Sequence, residues 1–175
     1  MHPWRRFGLS VLCAMALPPA AALAQGMGGA ATPQARGPTY DPNHEFHAGI
    51  DALNDGKYRV AKEDFEHVLA MVPDQPTALS FLAQAEMNLG DLKGAARDFE
   101  ASLRRDPNQV IPARDLAITD AKLGRQDKAA AELAKLKARA QACGDACDQA
   151  GDLQAAVQAV EAAMGGAPGK AASAG

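Results

Sequence analysis

The sequence predicts an all-helical protein made of three stacked helical hairpins and a further helix that covers the end of the stack. The first observation is an internal repeat, in which Gly56, Gly90 and Gly124 recur at a constant interval. The second is that apolar residues return every three or four positions on both sides of these glycines, as one buried helix face requires. The third is that Pro73 and Pro107 recur at the same interval, where helices end. Each repeat is therefore predicted to form a helix, a tight turn and a second helix.

The repeat resembles the tetratricopeptide repeat (TPR), a helical hairpin of about 34 residues with small residues, aromatics and a closing proline at fixed positions. Three sets of residues carry this resemblance: small residues where paired helices touch, an alanine of the second helix, and a large apolar residue four positions later. In this order they are Gly49, Ala83 and Ala117; Ala61, Ala95 and Ala129; and Phe65, Phe99 and Leu133. The resemblance covers residues 42–141 and implies a right-handed superhelical stack of three hairpins.

The chain departs from the family's pattern in the first helix of each repeat, where the family prefers a large aromatic side chain. These positions hold Glu45, Leu79 and Ala113, and further along Ala52, Glu86 and Asp120.

Residues 1–24 are typical of a secretory signal peptide. Arg5 and Arg6 precede an apolar stretch from Phe7 to Leu17, and Ala22 to Ala24 are typical of a cleavage site. The stretch is shorter than the roughly 20 residues that a membrane span needs. We therefore expect export to the periplasm with cleavage after Ala24, and the arginine pair leaves a twin-arginine route open.

Charge argues against nucleic acid as a partner. The predicted signal peptide contains Arg5 and Arg6 but no acidic residue, so 16 of the 18 basic residues and all 21 acidic ones lie beyond it, which gives a net charge of −5. Nucleic-acid binding requires a positive surface, and the sequence contains no basic stripe. The composition also offers no second membrane-binding segment.

The remaining elements follow in order. Residues 25–40 are rich in Gly, Ala, Pro and Gln and predict a flexible leader. Asp41 is the expected N-cap of the first helix, and the repeats occupy residues 42–75, 76–109 and 110–141. A capping helix is expected over about 152–164, with Asp152 as its N-cap, and residues 165–175 are expected to be a disordered tail. The apolar face of that helix consists of Leu153, Ala156, Val157, Val160 and Met164.

Cys143 and Cys147 remain after removal of the signal peptide, and an even pair in an exported protein favours a disulfide. This bond would fix the angle at which the chain enters the capping helix. Two alternatives are a thiol–disulfide oxidoreductase that uses this pair and a thiolate metal site. Replacing both cysteines by serine distinguishes the scaffold from the oxidoreductase, because only the oxidoreductase would lose its activity.

The sequence contains no motif for catalysis or for a cofactor. There is no nucleophile elbow, no glycine-rich phosphate loop and no haem-attachment motif. His44 and His47 lie three residues apart on one helix, but no third ligand accompanies them, so we predict no metal site. Glu63, Asp64 and Glu66 are interpreted as a solvated helix face. We therefore expect no enzyme, no catalytic residues and no cofactor.

The TPR resemblance implies that the first helices of successive repeats line a concave groove that binds a segment of a partner protein. Carried over by position, the groove consists of Asn43, Phe46, Ile50 and Leu53; Thr77, Ser80, Gln84 and Met87; and Ile111, Arg114, Ile118 and Lys122. Arg114 and Lys122 would favour carboxylates in the partner. The resemblance thus implies a non-catalytic scaffold of the bacterial cell envelope, and the alternative is a structural subunit of an envelope complex that uses the outer helices. The sequence leaves the oligomeric state open.

Overall fold

The structure is a computed structural model that describes residues 41–144 and 147–166 of the 175-residue chain. The predicted signal peptide, the leader and the residues after 166 lie outside this range. The described residues form helices and no strands. The helices are α1 (Pro42–Asn54), α2 (Tyr58–Met71), α3 (Pro76–Leu89), α4 (Leu92–Arg105), α5 (Val110–Lys122), α6 (Gln126–Cys143) and α7 (Ala150–Gly166).

The three hairpins turn at the glycines that define the repeat. Gly56, Gly90 and Gly124 have φ angles of 71°, 86° and 74°. This left-handed conformation costs glycine little, whereas a side chain would strain it. The turn after the first helix of each hairpin therefore needs a residue without a side chain, which explains why glycine recurs there.

The helices stack in sequence order. Each hairpin packs its two helices together, and α2 contacts α3 while α4 contacts α5. The helix α7 packs against both α5 and α6 and covers the end of the stack. The predicted all-helical stack of three hairpins with a capping helix is therefore confirmed.

The core of the described residues consists of three clusters that follow one another along the stack. The first cluster lies between the first two hairpins, the second between the last two, and the last beneath α7. In this order they contain Ala52, Ala61, Phe65, Leu82 and Ala85; Ala83, Ala95, Ala96, Phe99 and Leu116; and Val110, Ala113, Ala117, Leu136, Leu153, Ala156 and Val160.

The small residues predicted at the helix contacts are fully buried. Ala83, Ala117, Ala61, Ala95 and Ala129 have no exposed surface. Gly49 in α1 lies directly beneath the Phe65 ring, since a Cβ atom on it would stand 2.8 Å from Phe65 Cζ. The small residues thus allow the paired helices to approach closely.

The large apolar position differs in the third repeat. Phe65 and Phe99 are fully buried, but Leu133 is only partly buried and packs at the edge of the last cluster. Leu136, about one helical turn later, is 1% exposed and belongs to the last cluster. The physical reason is that the neighbour of α6 is the capping helix rather than another repeat, so the buried stripe shifts along α6.

The capping helix begins earlier than expected. Ala150 is its first residue, and the backbone N–H of Leu153 donates to the Gln149 carbonyl at 2.9 Å. Asp152 therefore lies in the first turn and is not the N-cap, although a carboxylate in the first turn still favours the helix dipole. The predicted apolar face packs on the last cluster, with Leu153, Ala156 and Val160 buried and Val157 and Met164 partly buried.

Two of the positions that depart from the TPR pattern hold buried acids with cationic partners. Glu86 is 3% exposed and accepts a hydrogen bond from Lys62 Nζ at 2.7 Å, so the pair joins α3 to α2. Asp120 is 1% exposed and accepts one from Arg125 Nη1 at 3.1 Å. Burial raises the pKa of Glu86 above its ordinary value, and the hydrogen bond from Lys62 opposes this rise. Each carboxylate thus depends on one cation.

One acid expected on a solvated face is partly enclosed. Asp64 is half-buried, whereas Glu63 and Glu66 on the same helix are exposed. Burial and the charge of the nearby Glu45 carboxylate raise the pKa of Asp64. The interpretation of this stretch as a uniformly solvated face was therefore wrong for Asp64, because the residue faces α1 rather than solvent.

We expect Ala83→Leu and Ala95→Leu each to lower the free energy of unfolding by about 1–3 kcal/mol, because both overfill a close contact. Glu66→Ala and Glu100→Ala are the controls, since their side chains are 50% and 38% exposed. Glu100 pairs with the exposed Lys128, and in Glu66→Ala the partner Lys62 keeps its hydrogen bond to Glu86. The controls should change the stability by no more than about 0.5 kcal/mol. Urea denaturation followed by circular dichroism measures both sets, and equal effects would show that the register is misplaced.

Within the described residues, no helix combines the length and the apolar character that crossing a membrane requires.

Candidate functional site

A concave cavity lies where α3, α5 and the start of α7 meet. Its volume is about 280 Å³. Four of the residues predicted for the partner groove line it, namely Thr77, Ser80, Gln84 and Ile111. The other lining residues are Phe81, Gln109, Val110, Pro112, Gln149 and Asp152. The structure therefore brings together predicted positions from the second and third repeats.

The cavity combines amide and hydroxyl groups with an apolar wall. The side chains of Gln84 and Thr77 make no hydrogen bond to other described residues, so their polar groups are available to a ligand. Gln109 is held in place, since its Nε2 donates to Ser102 Oγ at 3.1 Å and to the Asp106 carbonyl at 3.4 Å. Such groups are suited to the main-chain N–H and C=O of an extended peptide.

Ile111 is the most exposed large apolar residue of the cavity, with 49% of its surface accessible. It stands at the second position of α5, beside the buried Val110 and Pro112. An exposed apolar side chain beside the polar groups of a cavity offers a contact point for a ligand's apolar group. Leu89, at the end of α3, has almost the same exposure of 48% but does not line the cavity.

The predicted groove residues of the first repeat do not line this cavity. Asn43 is exposed in the first turn of α1, where its backbone N–H donates to the Asp41 N-cap. Phe46, Ile50 and Leu53 are half-buried and pack against the first cluster. The Phe46 ring stands edge-on to the Phe65 and Phe81 rings, at centroid distances of 5.8 and 5.7 Å. Phe46, Ile50 and Leu53 therefore contribute to the core between the first two hairpins.

Two of the remaining predicted positions contact the core. Met87 packs on the second cluster, and its sulfur lies 3.3 Å from the Thr119 hydroxyl oxygen, whose proton is donated to the Asp115 carbonyl at 2.6 Å. Ile118 packs against the last cluster.

The two predicted cations differ in their surroundings. Arg114 Nε donates to the buried Asp115 carboxylate at 2.7 Å, and this hydrogen bond raises the pKa of Arg114. Much of the positive charge of Arg114 is therefore compensated within the protein. Lys122 is exposed and has no ion-pair partner among the described residues. The cationic character expected of the third repeat thus resides mainly in Lys122.

The sequence could not identify the contribution of α7 to the cavity. Gln149 and Asp152 reach it because α7 packs against α5, across the open end of the repeats. Their sequence neighbourhood indicates only a turn and a helix cap. Phe81 and Gln109 were missed because the groove was assigned by repeat position alone, although Gln109 directly precedes α5.

Cys143 and Cys147 lie at the junction of α6 and α7. Their Cα atoms are 5.5 Å apart, a usual separation for a disulfide, and their sulfur atoms are in contact. Cys143 is half-buried against the last cluster, whereas Cys147 is exposed. The disulfide stays a prediction, and its position next to the core fits the predicted structural role.

Comparisons with known proteins place these observations in context. Residues 46–110 match the model of a tetratricopeptide-repeat family. A search of curated protein sequences gave no match.

Several solved structures share the fold. The TPR2B domain of yeast Sti1, in a structure of its pHsp70 complex, aligns with a TM-score of 0.57 at 15% identity, over 69% of this chain and 96% of that one. The Sgt2 TPR domain from Aspergillus fumigatus gives 0.58 at 19% identity, over 77% and 85%. TTC0263, a thermophilic TPR protein in Thermus thermophilus, gives 0.57 at 20% identity, over 71% and 66%. Identities this low establish similarity of fold only.

Proposed function

We propose that this chain, whose residues 46–110 match a tetratricopeptide-repeat family and whose fold is that of TPR structures, is a non-catalytic scaffold that binds a segment of a partner protein. The binding site is the concave cavity formed by α3, α5 and the start of α7. The observation that carries this proposal is the cavity's composition, in which available amide and hydroxyl groups of Gln84 and Thr77 lie beside the exposed Ile111.

These groups favour an extended segment. Its main chain would exchange hydrogen bonds with the Gln84 amide and the Thr77 hydroxyl, and one apolar side chain would pack on Ile111 and Phe81. Asp152 adds a carboxylate to the rim, while Lys122 lies further along α5. The segment is therefore expected to combine an apolar anchor with polar main-chain contacts.

The solved structures support a binding role without identifying the partner. The TPR2B domain of Sti1 was solved in a complex with pHsp70, so a domain of this fold is known in a complex. pHsp70 is named as the partner of Sti1 and is not proposed as the partner of this chain.

The proposed location is the periplasm, in or near the bacterial cell envelope. The support is the order of features in residues 1–24, with Arg5 and Arg6 before an apolar stretch and a small-residue site ending at Ala24. The predicted disulfide between Cys143 and Cys147 agrees with an oxidising compartment.

We expect Ile111→Ala to weaken binding of the partner by about tenfold, because truncating an apolar anchor at an interface commonly costs more than about 1 kcal/mol. The partner is first isolated by affinity capture with the chain from residue 25 onwards, using an extract of the source organism. Each variant is then titrated against the purified partner by calorimetry.

Leu89→Ala is the matched control, since Leu89 has almost the same exposure but lies outside the cavity. It should bind as the unmodified chain does, and circular dichroism should show intact helices in both variants. If Ile111→Ala binds normally, or if Leu89→Ala is weakened equally, the concave cavity is not the site. The outer helices, as in a structural subunit of an envelope complex, would then be the better candidate.

A further inference from the structure

Three side chains that commonly bind metals converge on one side of the first hairpin, and His44 lies beside them. Glu45 on α1 faces Asp64 and His67 on α2, and one ligand atom from each lies within 4.8 Å of the others. His44, next to Glu45, places its Nδ1 atom 4.0 Å from Glu45 Oε1. This cluster joins residues from two helices, so the sequence spacing of the histidines did not reveal it.

The carboxylates of the cluster lack a permanent cation. Neither Glu45 nor Asp64 has a lysine or arginine within ion-pair distance in residues 41–144 and 147–166. Glu45 is also well enclosed, with 17% of its side chain exposed. Two carboxylates are thus held close together at a partly buried position, an arrangement that a divalent cation would stabilise.

The distances are close to those of a transition-metal site. Zinc binds histidine nitrogen and carboxylate oxygen at about 2.0–2.2 Å, so tetrahedral ligands stand about 3.4 Å apart. His67 Nδ1 lies 3.8 Å from Glu45 Oε2. His44 is 79% exposed, so its ring can rotate inward while the enclosed Glu45 keeps its place.

We propose that Glu45, Asp64 and His67 form a binding site for a divalent transition-metal ion of the zinc class, with His44 as the fourth ligand. Imidazole together with carboxylate suits Zn²⁺, Ni²⁺ and Cu²⁺, whereas Mg²⁺ and Ca²⁺ prefer oxygen ligands alone. Because the ligands come from both helices, the ion would tie α1 to α2 at the start of the stack.

The test is a Zn²⁺ titration of the chain from residue 25 onwards, purified without a polyhistidine tag and freed of metal by a chelator. Calorimetry should show one ion bound per chain with micromolar or tighter affinity, and Zn²⁺ should raise the melting temperature. His67→Ala and Glu45→Gln should each lower the affinity by at least about tenfold. Mg²⁺ at the same concentration should have no effect.

His47→Ala is the matched control. His47 lies on the same helix as His44, but its ring packs edge-on to Phe46 and it is outside the cluster. It should bind Zn²⁺ normally, and so should Cys143→Ser/Cys147→Ser, which removes a thiolate site. The absence of Zn²⁺ binding in the unmodified chain, or an equal loss in His47→Ala and His67→Ala, would overturn the proposal. Melting temperatures in chelator should be alike for the unmodified chain and the His67→Ala, Glu45→Gln and His47→Ala variants, which separates loss of a ligand from loss of folding.

Discussion

Phe65→Ala is expected to lower the free energy of unfolding by about 3–5 kcal/mol, the usual cost of truncating a fully buried phenylalanine. The ring has no exposed surface, stacks on Phe81 at a centroid distance of 5.5 Å and covers Gly49. Its loss would leave a cavity bounded by α1, α2 and α3. Neither neighbouring helix can move in to fill it, because Ala52 and Ala61 already hold the helices in close contact.

The measurement is urea denaturation followed by circular dichroism. Val60→Ala is the control, since Val60 lies on the same helix and is 46% exposed. It should cost no more than about 0.5 kcal/mol. A loss below about 1 kcal/mol for Phe65→Ala would contradict the packing described above. Because each hairpin of a repeat array contacts only its neighbours, the first hairpin can unfold separately, and a two-step curve would also agree with the prediction.

Lys62→Met is expected to cost on the order of 3 kcal/mol at pH 7, because it removes the cation from a buried pair and leaves the Glu86 charge without compensation. Methionine keeps most of the apolar part of the lysine side chain, so the change in the free energy of unfolding results mainly from the loss of the positive charge. Lys57→Met is the control: Lys57 pairs with Asp55 at 2.9 Å, but both side chains are exposed. A solvent-exposed pair of this kind contributes little to stability, so Lys57→Met should have a much smaller effect than Lys62→Met.

The cost of Lys62→Met should shrink as the pH falls. Burial already raises the pKa of Glu86, and without Lys62 that pKa rises further. A carboxyl whose pKa is higher in the folded state than in the unfolded state stabilises the fold at low pH. This stabilisation is complete below the pKa of the unfolded state and is lost as the pH rises through the pKa of the folded state. The variant should therefore approach the unmodified chain near pH 4, close to the ordinary glutamate pKa of about 4.3.

A second substitution tests the same explanation. Glu86→Gln removes the buried charge and should restore most of the stability that Lys62→Met loses at pH 7. The free energy of unfolding is measured for the two single variants and the double variant at pH 7 and at pH 4.5. If the cost of Lys62→Met is the same at both pH values and Glu86→Gln restores nothing, the pair contributes through packing rather than charge.

The repeat and its turns were predictable because they rest on local chemistry. A glycine at a constant interval, with apolar residues at helical spacing around it, leaves few alternatives to a helical hairpin. Phe65, Phe99 and the small residues of the helix contacts follow from the same register. The predicted hairpins therefore agree with helices α1 to α6.

The surface was less predictable, because it depends on which helix lies opposite each residue. From their positions in the repeat, Phe46 and Thr77 were both predicted to line the groove. In the structure Phe46 packs between two hairpins, whereas Thr77 lines the cavity. Arg114 has its partner at the next residue, a spacing that does not usually bring side chains together on a helix. The approach of Asp64 to Glu45 depends on how α1 and α2 pack, which the sequence does not specify.

The Lys62–Glu86 pair also limits how this array can change in length. Lys62 belongs to the first repeat, and the equivalent residue of the second repeat is the buried Ala96. In the same way, the equivalent of Glu86 in the third repeat is Asp120, so by repeat register Ala96 is the residue opposite Asp120. A tandem copy of residues 76–109 would bring Ala96 against a second Glu86 with no lysine to meet it. Deletion of the same segment would bring Lys62 opposite Asp120, another carboxylate. Duplication of the middle repeat thus requires a compensating substitution, whereas its loss preserves the match of charges.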